Sequence, residues 1–307
     1  MDRISLIVPC FNEEANIEPF YNAVLDVFKN TSNETDFELM FVNDGSKDNT
    51  LQKIKALHEK DNRVKCVSFS RNFGKEAALF AGIRNVTGNC AVLLDADLQH
   101  PPATIIEMYK KWKEGFEVVE GIKTERGKES LFHKAFTKIF YNLISRSVGL
   151  DMRNSSDYKL LDKKVITELA NLKERNTFFR ALSFWCGFKK TTVYYEVAER
   201  VNGTSKWSTK ALIKYAVKNV ICFSYAPLHI VTVIGCIFVF IGFIVAVDAI
   251  ISFFTGKAAD GFPTLLGIIL LGFGGIMVSL GIIGVYIAQI YDEVKGRPQY
   301  IIGEKIE

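Results

Sequence analysis

Two stretches in the last quarter of the chain carry no charge: Ile230 to Val247, 18 residues, and Leu265 to Ile287, 23 residues. A helix rises 1.5 Å per residue, so about 20 apolar residues cross the 30 Å hydrocarbon core of a bilayer. Both runs qualify as membrane spans. The link between them, Thr255 to Pro263, is short and polar, which predicts an antiparallel hairpin. Lys206, Lys210, Lys214 and Lys218 precede the first run and Lys295 and Arg297 follow the second, whereas the link carries only Lys257, offset by Asp260. The excess of basic residues outside the hairpin predicts that both its ends, and everything before it, lie on the cytoplasmic side of a cell membrane. Asp248 interrupts the first run near its far end, where an interfacial acid is expected. Gly272, Gly274, Gly275, Gly281 and Gly284 make the second run smooth, and Gly275 with Ser279 forms a small-xxx-small pair. That favours close packing, within the hairpin or between subunits of a homo-oligomer.

The four lysines recur every fourth residue, so they share one face of a helix whose other faces carry Leu212, Ile213, Ala216, Val217, Val220 and Ile221. This predicts an amphipathic helix on an anionic membrane surface. The expected organisation is a cytoplasmic domain over 1–205, the juxtamembrane helix over 206–227, two spans over 228–291 and a cytoplasmic tail over 292–307. The chain is 49% hydrophobic, and the excess sits in the spans; the net charge of +4 is too small to argue for nucleic acid. The start, Met1-Asp-Arg-Ile-Ser, lacks the pattern of a cleaved leader. Six cysteines without C-x-x-C spacing read as reduced, mostly buried thiols.

Before residue 205, short apolar runs alternate with helical periodicity. Ile4 to Pro9, Phe37 to Val42, Val64 to Phe69, Ala91 to Leu94 and Val118 to Gly121 read as strands. Glu14 to Lys29, Thr50 to Glu59, Lys75 to Asn85 and Thr104 to Glu114 read as helices. The alternation predicts stacked βαβ units, an α/β domain with a mostly parallel sheet. Ligands of such sheets bind beyond the carboxyl ends of the strands. The site should therefore be built from Pro9-Cys-Phe-Asn-Glu-Glu, Val42-Asn-Asp-Gly-Ser, Phe69-Ser-Arg-Asn-Phe-Gly-Lys and Asp95-Ala-Asp. Neither a Walker A pattern nor G-x-G-x-x-G is present.

The fourth of these segments, Leu94-Asp-Ala-Asp-Leu-Gln-His-Pro-Pro, is the most chemical. If it continues the strand, Asp95 and Asp97 face one spot and Ala96 turns aside. Two close carboxylates repel, and a divalent cation removes that penalty. Mg²⁺ or Mn²⁺ held by one or two carboxylates and by substrate phosphates fits, with Gln99 as a third oxygen ligand or an orienting group. A metal-bound diphosphate is thus the expected occupant. A solvated acidic turn is the bland alternative.

Val8-Pro-Cys-Phe-Asn-Glu-Glu, Val42-Asn-Asp-Gly-Ser-Lys-Asp-Asn-Thr, Ser70-Arg-Asn-Phe-Gly-Lys-Glu-Ala-Ala and the D-x-D segment resemble, in order, the motifs of family 2 glycosyltransferases. Together with Arg200-Val-Asn-Gly-Thr-Ser-Lys-Trp and Tyr291-Asp-Glu-Val-Lys-Gly-Arg-Pro, they resemble the polyprenyl-phosphate subgroup, which includes dolichol-phosphate mannose synthases and bactoprenol glucosyltransferases. The resemblance implies a GT-A-type, Rossmann-like domain. It implies inverting transfer of one sugar from a nucleotide sugar, UDP-glucose or UDP-GlcNAc, with GDP-mannose as the alternative, to undecaprenyl or another polyprenyl phosphate at the membrane. It implies that Pro9, Phe11, Asn12, Glu13, Asp44, Lys75 and Asp95 surround the nucleotide, that Asp95, Asp97 and Gln99 hold the metal, and that Asp157 and Asp97 serve the chemistry. Arg126, Lys134, Arg200, Ser205 and Lys206 are the candidates for the lipid phosphate.

Each assignment has a plainer rival. Asn12 and Glu13 can cap a helix, Asp44-Gly45 can be a tight turn, Lys75 can simply start a helix, and Asp157 can be a structural turn acid. The basic residues can be surface charges. A lipid phosphate is largely ionised at pH 7, so Asp157 is expected to position a substrate rather than remove a proton. A processive polysaccharide synthase is disfavoured because no glutamine begins Q-x-x-R-W. A catalytically dead membrane scaffold is disfavoured by the intact acids.

Overall fold

The computed structural model describes residues 1–29, 35–124, 156–175, 177–196, 226–255 and 261–307. Arg126, Lys134, Arg200, Ser205 and Lys206, and the lysine-bearing stretch of the expected amphipathic helix, lie outside the described residues. The chain divides into two units, Met1–Ile213 with Arg297–Glu307, and Lys214–Gly296.

The first unit begins as the alternation predicts: β1 (Asp2–Cys10), α1 (Ile17–Lys29), β2 (Thr35–Asn43), α2 (Thr50–Lys60), β3 (Val64–Phe69), α3 (Lys75–Asn85), β4 (Cys90–Leu93), α4 (Thr104–Lys113) and β5 (Val118–Lys123). The continuous apolar runs become strands buried on both faces, as in the fully buried Ile4 and Leu6 to Val8 of β1. α1 buries Ile17, Phe20 and Val24, the i, i+3, i+7 stripe of a helix lying on a sheet. α3 is buried from Ala77 through Ile83, because it packs against β1, β2 and a later helix. Gly82 permits this approach: a Cβ there would collide with the Ile7 side chain.

Among the described residues the unit has five further elements. β6 (Lys159–Asp162), α5 (Lys163–Asn171), α6 (Phe179–Trp185) and β7 (Lys190–Tyr195) follow, and β8 (Ile302–Ile306) comes from the far end of the chain. The sheet order is β7-β5-β6-β4-β1-β2-β3-β8. The centre, β4-β1-β2-β3, is parallel, whereas β6 runs antiparallel to both β4 and β5, and β8 antiparallel to β3. The sheet is therefore mixed, with its parallel core in the expected place. Residues 302–306, read above as part of a tail, form its edge strand. Tyr300 stacks on Phe69 at 4.8 Å, Arg84 donates to Gln299 Oε1 at 3.1 Å, and Lys55 pairs with Glu304 at 2.6 Å.

The described residues of the second unit form two helices, α7 (Ala226–Phe254) and α8 (Phe262–Val294). Within them Pro227–Ser252 and Gly267–Val294 are long and apolar enough to cross a membrane, with mean hydropathy of 3.0 and 2.5. Of the five glycines noted in α8, Gly275 faces α7, where an added Cβ would lie 3.0 Å from the Phe238 ring; the other four have open space. The Ser279 hydroxyl donates back to Gly275 O at 2.7 Å.

Candidate active site

The four loops after β1, β2, β3 and β4 gather at one end of the sheet; side chain–backbone hydrogen bonds tie the first three together, and the Lys75–Asp95 ion pair joins the fourth to the end of the third. Asn12, at φ 54°, donates from its backbone N–H to Ser46 Oγ (2.9 Å), and its side-chain oxygen accepts from the Lys47 N–H (2.9 Å). Glu13 donates its N–H to Thr50 Oγ1 (2.9 Å), while its carboxylate accepts from Asn16 Nδ2 at 2.6 Å. Asn12 thus joins the first loop to the second rather than capping α1.

The second loop is locked to the third in the same way. Asp44 is buried, and its two carboxylate oxygens accept from the N–H groups of Phe73 (2.6 Å) and Gly74 (2.9 Å). Burial pushes the Asp44 carboxyl above its ordinary value, and those two N–H donors oppose the shift. Gly45, at φ 65°, lies so close to the third loop that a Cβ would strike the backbone of Arg71 and Asn72. Pro9 pairs with Val42 one step before the β1–β2 register ends at Cys10 and Asn43, and Phe11, just past that end, is half-buried.

Asp95 and Asp97 lie just past the end of β4, in the turn that leads to α4, and not on the strand itself. The alternation expected of a strand nevertheless persists: Leu94 and Ala96 are buried while Asp95 and Asp97 are partly exposed. Leu98, at φ 59°, turns the chain, and Asp97 Oδ1 accepts from the Gln99 N–H at 3.1 Å. A leucine in the left-handed region costs roughly 1–2 kcal/mol, so this turn is held by its surroundings. Leu98 packs against the core.

Opposite the turn stand two cations and a third acid. Lys75, the first residue of α3, places Nζ 2.6 Å from Asp95 Oδ1 and 3.3 Å from Asp157 Oδ2. Asp157, just before β6, is gripped in bidentate fashion by Arg180 of α6, with Nε to Oδ1 at 2.7 Å and Nη2 to Oδ2 at 3.0 Å. Burial works to raise both carboxyls. For Asp157 the Arg180 guanidinium, then Lys75, outweigh it and hold the group far below the usual carboxylate range; for Asp95 Lys75 does so. Burial likewise works to lower the Lys75 ammonium, and the two acids overcome it.

The donor set suits a hard divalent cation. Asp95 and Asp97 offer only carboxylate oxygens, and Mg²⁺ or Mn²⁺ is commonly held by such a pair with phosphates and water supplying the rest. Among the described residues no group of three or more His, Cys, Asp or Glu converges on a metal position, so the remaining ligands would have to come from a substrate. Three acids and two cations, with a divalent cation between acid and phosphate, can hold a charged phosphate compound and stabilise charge that develops on it.

Residues 5–172 match the family model described as glycosyl transferase family 2. The chain belongs to glycosyl transferase family 2. It is 40% identical over 302 residues to the "uncharacterized glycosyltransferase YkcC" of Bacillus subtilis (strain 168), covering 98% of this chain and 93% of that one. It is 37% identical over 303 residues to the "prophage bactoprenol glucosyl transferase homolog" of Escherichia coli (strain K12), covering 98% of each. A bactoprenol glucosyl transferase of Shigella phage SfII is 37% identical over 302 residues, covering 98% and 97%. The protein is a glycosyltransferase with a GT-A-type sheet.

In this family 2 glycosyltransferase several site residues escape the sequence reading. Arg180 stands in the apolar stretch Thr177-Phe-Phe-Arg-Ala-Leu, and that lone charge is the only sign of it. Lys159 is fully buried, 3.1 Å from Glu120 Oε1, and donates to Ser183 Oγ at 2.8 Å. Glu120 also accepts from the Ser156 N–H (3.1 Å), and Ser183 donates to Arg180 O (3.0 Å), so one buried network braces the chain on both sides of the Asp157–Arg180 pair. His100, buried and stacked on Tyr158 at 4.9 Å, directs Nδ1 toward Asp95 Oδ2 at 4.0 Å and has no hydrogen-bond partner there.

Proposed function

We propose that the enzyme transfers a single sugar, with inversion, from a UDP-sugar to a polyprenyl phosphate at the cytoplasmic face of a membrane. The observation that carries this reading is the cluster Asp95–Lys75–Asp157–Arg180, which sets a diphosphate-binding acid and an acceptor-side acid on either side of one ammonium. Full-length relatives named as bactoprenol glucosyl transferases support the lipid acceptor, and two apolar helices of spanning length support the membrane.

In the proposed reaction an oxygen of the lipid phosphate attacks the anomeric carbon. A bond forms between them as the bond from that carbon to the diphosphate oxygen breaks, and the electron pair leaves with the nucleoside diphosphate. The acceptor is mostly dianionic above its second pKa of about 6, so no side chain has to remove a proton. Asp157, held deprotonated with both oxygens committed to Arg180 and Lys75, acts by positioning Arg180 toward the anionic acceptor and Lys75 toward the diphosphate side of the site. Asp95, Asp97 and Gln99 would hold Mg²⁺ or Mn²⁺, which when bound neutralises charge on the leaving diphosphate. The braced loops carrying Phe11, Asn12, Glu13 and Asp44 would shape the nucleoside end, and Arg126, Lys134, Arg200, Ser205 and Lys206 would meet the lipid headgroup.

The return of β8 to the sheet that begins with β1 supports an even number of membrane crossings, with both ends of the hairpin on the catalytic side. The test is incubation of the purified protein with undecaprenyl phosphate, Mg²⁺ or Mn²⁺, and labelled UDP-glucose, UDP-GlcNAc or GDP-mannose. A labelled lipid from a UDP-sugar is expected; labelled lipid from GDP-mannose alone would reassign the donor, and none from any donor would overturn the reading.

A further inference from the structure

Lys75 is fixed at its root and carries its charge on a flexible stem. It follows Gly74, whose φ is 99° and whose N–H is held by Asp44, so its Cα cannot wander. Its side chain is 39% exposed, yet its ammonium lies within 3.3 Å of two carboxylates from different parts of the chain. The partners are unequal. Asp157 has a second, rigid partner in the bidentate Arg180. Among the described residues, Asp95 has Lys75 on Oδ1 and His100, at 4.0 Å, on Oδ2. The ammonium is therefore the charge that a cation must displace to reach Asp95.

The charge count gives the consequence. Lys75, Arg180, Asp95, Asp97 and Asp157 together carry one net negative charge. A bare divalent cation approaching Asp95 meets an ammonium that would be left without that partner. A cation arriving on a diphosphate brings anionic oxygens, which give the ammonium a new partner as it lets go of Asp95. Lys75 need move only its flexible tip for the exchange, and Asp157 keeps the other contact.

We propose that Lys75 makes divalent-cation binding at Asp95 conditional on the diphosphate, so that the site rejects the free ion and accepts the ion–nucleotide complex. This rests on the metal–diphosphate reading of the site and adds a coupling between the two ligands that belongs to one side chain. Such a coupling is reciprocal: whatever factor UDP gains from the ion, the ion gains from UDP.

The experiment measures binding rather than turnover. Mn²⁺ is titrated into full-length protein in detergent, with the free ion read by electron paramagnetic resonance, with and without saturating UDP. Wild type should bind Mn²⁺ weakly alone and much more tightly with UDP. Lys75→Met should bind Mn²⁺ alone more tightly than wild type, by on the order of tenfold, and should lose a similar factor of the coupling. Lys75→Arg should keep the coupling, and Lys75→Gln should repeat the gain of Lys75→Met in a variant that retains a polar tip. If both neutral variants bind Mn²⁺ alone no better than wild type, Lys75 is not the discriminating charge. If wild type binds no Mn²⁺ even with UDP, the metal–diphosphate reading itself fails, and the inference with it.

Discussion

Asp157 would be a poor base. Its folded-state pKa is depressed, so its pairing contributes stability that is fully present above the unfolded value of about 3.9 and is lost only as pH falls through the far lower folded value. Nothing about this group changes between pH 5 and 8. The acidic limb of the rate profile should therefore belong to the acceptor phosphate, near pH 6. Asp157→Asn should lower kcat by about 100-fold or more without moving that limb, because a positioning acid sets the height of the curve and not its pH dependence; a limb that shifts or vanishes would make Asp157 the base. Lys159 gives the second residue-scale prediction. Removing one partner of a buried ion pair costs about 3–5 kcal/mol, so Lys159→Met should lower the unfolding free energy by that amount in denaturant titrations, through the stranded Glu120 carboxylate. Asp95 and Asp97 were legible in the sequence because paired acids after an apolar strand are conspicuous, and Asp157 was singled out only through the family resemblance. Arg180 and Lys159 were not, because their meaning comes from partners 23 and 39 positions away that only the fold supplies.

At the scale of elements, the loops rather than the strands decide the site. Gly45 must take a left-handed conformation against the backbone of the third loop. Gly45→Ala adds the left-handed penalty to a collision that only backbone movement can relieve, about 2–4 kcal/mol together. The expected outcome is a lower melting temperature and weakened UDP binding, since the displaced Arg71–Gly74 segment carries Lys75; unchanged UDP binding would separate the loop from the site. The parallel core was legible because a strand buried on both faces must be an apolar run, and four such runs alternated with helical periodicity. The flanking strands lack that signature. β6 is four residues long with a charge at each end, and β8, Ile-Gly-Glu-Lys-Ile, is a largely exposed edge whose polar residues face water. An edge strand is chosen by its neighbour: β8 is held by backbone pairing to β3 and by Tyr300 on Phe69. The two acids follow the strand, where the sequence put them, and the burial alternation that aims both the same way runs on past the strand's last paired residue.

For the whole molecule the decisive fact is that one sheet contains both residues 2–10 and residues 302–306, while the two long apolar helices lie between them in the chain. A chain that leaves a folded body, crosses a bilayer and rejoins the same body must cross an even number of times. Two helices, each long enough to span, satisfy that with one hairpin, and the lysines and arginine flanking it favour the cytoplasmic side for both ends. The hairpin link and β8 should then be reachable from opposite faces. In a protein whose native cysteines are replaced, Lys257→Cys should react with a membrane-impermeant maleimide in intact cells. Glu304→Cys, on the exposed edge strand, should react only after the membrane is opened. Labelling of Glu304→Cys alone from outside would reverse the orientation, and labelling of both only after opening would mean that the helices lie on the membrane without crossing it. In that case the acceptor phosphate would still be met at the surface, but the hydrophobic length of α7 and α8 would need another explanation, since helices that lie in the interface carry a polar face and neither of these has one along its spanning stretch.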